Sequence, residues 1–254
     1  MELEKVIRTI KESYHTGNGK EVSVKALVDA ALEGLVSSLD KESMLMDRKP
    51  SSLEFIRGLR EEGSIAEARF LGKNIGYIKI DFFGRRTGTD FKKALDDLEG
   101  MDGLIIDLRN NPGGVLQSAL DVLGNLVPGG KLLLTEEHQK GRNQHFSQAE
   151  TVPNLPTDLP IAVLINSSTA SSAEIVAATL RHYRNALVVG QRSYAKGTIQ
   201  EVIPLGARKT LILTTGEYIL VDGSSLKGSG IAPDRLVKGK KEQLEAAVSL
   251  LKGR

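Results

Sequence analysis

The sequence of 254 residues contains no cysteine and no tryptophan. Disulfides, a thiolate nucleophile and cysteine-ligated zinc are therefore excluded. Histidine is sparse, with only His15, His138, His145 and His182, and no two stand at a metal-binding spacing such as H-E-x-x-H. No metal and no cofactor are expected. The formal net charge is only +2 and aromatic residues make up 4%, so both the charge and the stacking rings that a nucleic-acid partner requires are in short supply. Lys238 to Lys241 is a short basic run, read as a solvated turn before the last helix. Long apolar runs are missing too. Charges break the first apolar positions within a few residues, and neither a signal peptide nor a membrane span is expected in the sequence given.

The chain does have an apolar share of 40% against 26% charged, enough to bury the core of one domain with an appendage. Its most informative stretch runs from 161 to 200. Ile161 to Ile165 is a continuous apolar run, the pattern of a strand buried on both faces. From about Ser171 the period turns helical, with Ile175, Ala178, Thr179 and Tyr183 on one stripe. Ser171 thus stands at a strand's carboxyl end and a helix N-terminus, where unpaired N–H groups favour developing negative charge. A serine there can attack a carbonyl, provided a base takes its proton. His182 lies on the same helix, about 16 Å along its axis at 1.5 Å per residue, so a histidine base would have to be His138 or His145 folding back from a long loop. Lysine can serve instead when burial disfavours its ammonium form. Lys196 follows the apolar strand Ala186 to Gly190 and precedes a strand beginning near Ile199. Two plainer readings stand beside these: Ser171 and Glu174 match the S-x-x-E capping box, and a lysine is ordinarily a solvated surface residue.

The residues together carry a family resemblance. Thr169-Ala170-Ser171-Ser172-Ala173-Glu174-Ile175, followed by Val189-Gly190 and Tyr194-Ala195-Lys196-Gly197-Thr198-Ile199-Gln200, resembles the core of the carboxyl-terminal processing peptidases, also called tail-specific proteases. Leu104-Ile105-Ile106-Asp107-Leu108-Arg109-Asn110-Asn111-Pro112-Gly113-Gly114 is similar to that family's strand and glycine loop. Ile75 to Ile80 is similar to its opening strand, and Gly230-Ile231-Ala232-Pro233-Asp234 fits near the end. The resemblance implies a nucleophile at Ser171, a general base at Lys196, and at Gln200 a side chain that holds the lysine. It implies an oxyanion hole from backbone N–H groups of Gly113 or Gly114 together with Ser172. Ala195 departs from the pattern, standing where the family usually has glycine. The family is usually exported, which is the expectation for localisation, and its substrate is a protein or peptide.

The fold class expected is α/β, a crotonase-like stacked βα core with an N-terminal helical appendage and a C-terminal mixed β segment. Residues 1–46 read as the helical region, with Leu3, Val6, Ile7 and Ile10 on one face and Val24, Leu27, Val28, Ala31, Leu32 and Leu35 on another. Such faces dock either on the same chain or on a second copy, and in the family these helices often build a homodimer. Residues 47–74 read as a short linker and strand, including a helical stretch from Ser51 to Arg60, in place of the PDZ domain that the family typically carries and that needs roughly 80 residues. Residues 75–237 form the protease core, with a helix from Val115 to Val127. Within 128–160 one strand, Lys131 to Glu136, precedes a long exposed loop. Residues 238–254 form a C-terminal helix. Two other functions fit this reading less directly: a catalytically silent relative that binds a peptide or apolar ligand in the same cleft, and an acyl-CoA enzyme of the wider crotonase-like class, for which no nucleotide motif is present.

Overall fold

A computed structural model describes residues 2–14, 22–47, 63–148, 155–206 and 208–253. The chain divides into two compact units, one of Met1–Pro50 with Gln200–Thr215 and the other of Ser51–Ile199 with Gly216–Arg254. The helical stretch expected from Ser51 to Arg60 lies outside the described residues.

In the smaller unit, α1 (Glu2–Ser13) and α2 (Val24–Ser37) carry the expected amphipathic pattern, and neither buries a residue. Ser23 caps α2 by accepting the Ala26 N–H at 3.3 Å. β1 (Met44–Asp47) runs antiparallel to the first part of β10 (Lys209–Ile219), with Met44 opposite Ile212 and Asp47 opposite Lys209. β9 (Thr198–Leu205) also pairs with β10. The turn from Leu39 to Ser43 that follows α2 is held by the Asp40 carboxylate, which accepts the N–H groups of Glu42 and Ser43 at 2.7 Å.

The larger unit is built on a six-stranded sheet in the order β11-β8-β7-β4-β3-β2, comprising β2 (Ile65–Leu71), β3 (Ile75–Ile80), β4 (Gly103–Asp107), β7 (Ile161–Ile165), β8 (Leu187–Gly190) and β11 (Arg235–Leu236). All neighbours are parallel except β2, which closes the edge antiparallel to β3. β4 and β7 are buried along their whole length, and their alternation explains the unbroken apolar runs. Leu104, Ile106, Ile161, Val163 and Ile165 point into the core that includes Phe91 of α3 (Thr87–Asp96), Leu123 of α4 (Leu116–Gly124) and Ile175 of α5 (Ser172–Arg184). Ile105, Ala162 and Leu164 point the other way, against Ala247 and Leu251 of α6 (Lys240–Lys252). Side chains alternate with period 2, so a strand sandwiched between helix layers needs apolar residues at every position.

One expectation is corrected. The stretch after β5 (Leu132–His138) is not a long loop at first but turns back as β6 (Gly141–Phe146), antiparallel to β5 from the Leu132–Phe146 pair to the His138–Gly141 pair. β5 also pairs with Gly216–Ile219 of β10. The sequence GRNQHF lacks apolar alternation because β6 is an edge strand exposed along nearly its whole length, so no buried face imprints a period on it. The helix expected from Val115 to Val127 is shorter, Leu116–Gly124. Val127 is nonetheless fully buried; an apolar position past the end of the helix continues the core without continuing the helical period.

Candidate active site

The glycine loop leaves β4 through a buried polar knot. Asp107 is fully buried and accepts the Tyr77 hydroxyl at 2.7 Å and the Arg109 Nε at 2.8 Å. Arg109 Nη1 reaches the Lys240 carbonyl at 2.6 Å and Gln243 Oε1 at 3.1 Å, tying the loop to the start of α6. Burial, reinforced by the Asp107 carboxylate, pushes the Tyr77 phenol well above its ordinary range. A buried guanidinium paired and hydrogen-bonded in this way is a rigid base for the chain that follows, because removing either partner would leave an uncompensated charge.

Next in the chain, Asn111 is completely buried, and its carboxamide donates to the Ile80 carbonyl at 2.9 Å and accepts the Gly113 N–H at 2.8 Å. Its carbonyl accepts the Ala170 N–H at 2.9 Å. Gly113 has φ +95°, and a Cβ there would stand 2.8 Å from both the Ala170 carbonyl and the Ser171 Cβ; a Cβ on Gly114 would stand 2.2 Å from the Phe83 carbonyl. Only glycine lets the loop lie this close to the serine turn.

Ser171 is the residue before α5 and sits at φ 55°, ψ −123°, a sparsely populated conformation for a residue with a side chain. The glutamate half of the expected capping box forms, with Glu174 accepting the Ser171 N–H at 2.8 Å. Sequence reasoning stopped at the cap and missed the rest of what Glu174 does. This fully buried carboxylate also accepts the Ser193 hydroxyl, the Ala195 N–H at 2.8 Å and the Lys196 N–H at 3.0 Å. The Tyr194 N–H donates to the Thr169 carbonyl at 2.9 Å. One carboxylate thus clamps the turn that carries Ser171 to the loop that carries Lys196. The only signal in the sequence was an acidic residue among apolar ones on a buried helix face, which the capping motif had already explained.

The expected site residues fall as follows. Ser171, Ser172, Gly113, Gly114 and the half-buried Lys196 belong to the larger unit, joined by the contacts above. Gln200 belongs to the smaller unit, where its side-chain amide donates to the Glu42 carbonyl at 2.6 Å. Among the described residues no acceptor meets the N–H of Gly114 or of Ser172. His138 and His145 stand on β5 and β6, each with Nε2 3.5 Å from Glu136 Oε2, and His182 packs edge-on against Tyr183 with ring centroids 4.6 Å apart.

A strand-loop-helix of this kind recurs in known proteins, and the model of peptidase family S41 matches residues 74–237. This chain belongs to peptidase family S41. The S41 chain is 31% identical over 231 residues to the carboxy-terminal-processing protease of Bartonella bacilliformis, covering 87% of this chain and 52% of that protein. It is 33% identical over 169 residues to the carboxyl-terminal-processing protease of a Synechocystis species, covering 66% and 39%. It therefore spans about half or less of the length of these relatives. Among solved structures, a lipoprotein from Streptococcus agalactiae superposes with TM-score 0.71 at 23% identity over 98% of this chain and 88% of that one. The photosystem II D1 C-terminal processing protease superposes with TM-score 0.60 at 23% identity, over 83% and 52%. These likenesses show a shared mixed α/β fold.

The departure noted at Ala195 has a structural consequence in this S41 chain. Ala195 adopts φ +76°, in the left-handed region that glycine enters freely. Ala195→Gly is therefore expected to stabilise the chain. The relief of roughly 1–2 kcal/mol of left-handed strain is only partly offset by the roughly 0.5–1 kcal/mol that glycine costs through unfolded-state freedom. Thermal melting should rise by about 1–3 °C; an unchanged or lower midpoint would show that the loop is not strained at this position.

Proposed function

We propose that this chain is the catalytic core of a serine-type, carboxyl-terminal processing peptidase with a Ser171–Lys196 dyad. The observation that carries the reading is the Glu174 clamp, which sets the turn bearing a strained serine beside the loop bearing a lysine, with the open N–H groups of Ser172 on that turn and of Gly114 on the glycine loop packed against it. Ser171 Oγ forms a bond to the carbonyl carbon of the scissile peptide as its proton passes to the neutral Lys196 amine. The carbonyl oxygen takes up the negative charge and is held by backbone N–H groups, Ser172 with Gly113 or Gly114. The C–N bond then breaks as the lysine ammonium returns the proton to the leaving amine, leaving an acyl ester on Ser171. Water, deprotonated by the same lysine, attacks that ester, and the acid leaves as Ser171 recovers its proton. By the resemblance alone, Gln200 orients the lysine.

The same reading makes the core crotonase-like, places the protein outside the cytoplasm, makes the N-terminal helices a homodimer surface, and leaves residues 47–74 as a linker without a PDZ domain. The relatives named as carboxyl-terminal processing proteases support the substrate class, an unfolded or C-terminal protein segment. A fluorophosphonate probe should label Ser171, and an unstructured peptide should be cleaved. If residues 47–74 are a linker on this reading, cleavage by this chain should change by less than about threefold when the peptide's C-terminus is free, amidated or extended by charged residues, because selection then rests on threading into the cleft and not on strand addition to a terminus. A rate that collapses when only the terminus changes would show tail recognition in another part of the chain, and an unlabelled Ser171 would remove the nucleophile.

A further inference from the structure

Both peptide planes that meet at Gly113 are held. Its N–H donates to Asn111 Oδ1 at 2.8 Å, and its carbonyl accepts the Phe83 N–H at 2.9 Å. No described peptide bond is cis, and in a trans peptide the N–H and C=O point in opposite directions. Seating the Gly113 carbonyl on Phe83 therefore turns the Gly114 N–H away from Phe83. Phe83 secures the far side of Gly114 as well, accepting the Val115 N–H at 2.7 Å. These Phe83 contacts are all backbone. Asn111 supplies the one side chain that engages the Gly113 N–H, and from its buried position it reaches the end of β3 through Ile80 and the residue before Ser171 through Ala170.

Resting on the serine-peptidase reading above, we infer that Asn111 is the positioning residue of the oxyanion site. By engaging the Gly113 N–H its carboxamide leaves Gly114, with Ser172, as the donor to the reacting carbonyl oxygen and ties the loop to the end of β3 at Ile80, while its main-chain carbonyl, on the Ala170 N–H, keeps the loop against the serine turn. Gly113 itself could donate only by abandoning a fully buried carboxamide oxygen, which would then have no partner. The arrangement is preorganised: the donors are aimed before charge develops, so no reorientation is required during the reaction.

The test uses the full chain and an unstructured peptide substrate. Asn111→Ala should lower kcat by about tenfold to a hundredfold, short of deleting an oxyanion donor outright, while KM stays within about twofold. Binding of a peptide aldehyde, whose hemiacetal oxygen occupies the oxyanion position, should weaken by a similar factor, while binding of an uncleaved product peptide should not change. An unchanged kcat, or equal weakening of aldehyde and product peptide, overturns the inference. Wild-type chain provides a second measurement that does not depend on a variant folding. In a structure with a peptide boronate bonded to Ser171, a boronate oxygen should accept from the N–H groups of Gly114 and Ser172 with Gly113 still on Asn111. A boronate oxygen on the Gly113 N–H overturns the role of Asn111. A boronate that does not bond to Ser171 overturns the serine-peptidase reading, and the inference falls with it.

Discussion

Replacing Ser171 with alanine is expected to lower the rate of peptide hydrolysis by about three or more orders of magnitude while leaving the chain folded, on the scale of nucleophile removal in other serine hydrolases. Two features of the structure separate chemistry from stability here. The bond from the Ser171 N–H to Glu174 uses the backbone and survives the substitution. Alanine also carries a Cβ, so the positive φ of 55° is as strained in the variant as in the parent. The Ser171 hydroxyl makes no cap bond of its own to the helix, so the stability cost should stay below the roughly 1 kcal/mol typical of a lost cap. Peptide cleavage and thermal melting measured side by side decide the matter: a variant with near-normal activity and a lowered melting point would make Ser171 a cap and nothing more.

Lys196→Arg should be equally severe. A base must be neutral to accept a proton, and the guanidinium remains protonated throughout the accessible pH range. The expected loss is again about three or more orders of magnitude, because nucleophile and base act as a unit. For the parent, the sign of the pH dependence follows directly. A general base works only in its deprotonated form, so the rate should rise with pH and then level off. Initial rates across a pH series, with His138→Ala and His145→Ala alongside, provide the check. Both histidines are placed beside Glu136 on the β5–β6 hairpin, so their removal should leave the profile in place. A rate limb that disappears with either histidine would eliminate lysine as the base.

How much of this was legible beforehand depends on the kind of signal each residue carries. β4 and β7 could be read because a strand buried on both faces must be apolar at every position, and the switch from that run to a helical stripe located the Ser171 junction within one residue of α5. β6 could not be read, since an edge strand with little buried surface leaves no period in its composition. Glu174 and Asn111 were in view as letters of a cap and of a glycine motif. Their wider roles were hidden because a buried polar group is defined by the partners that satisfy it, and those partners lie far away in the chain: Ser193, Ala195 and Lys196 for Glu174, Ile80 and Ala170 for Asn111.

The linear order of residues was sufficient for what is local or periodic: the parallel-sheet core, the helix start at the serine, the excluded thiolate and cysteine-ligated zinc chemistries, and membership of a peptidase family through short motifs in a fixed order. The three-dimensional structure was needed for whatever depends on hydrogen-bond direction across long sequence separations. It alone shows that Glu174 joins the serine turn to the lysine loop and that the Gly113 N–H is engaged while that of Gly114 is open. The physical reason is that hydrophobic burial is non-directional and leaves its mark in composition, whereas a hydrogen bond holds only over about 3 Å and a narrow angle, which no spacing along the chain encodes.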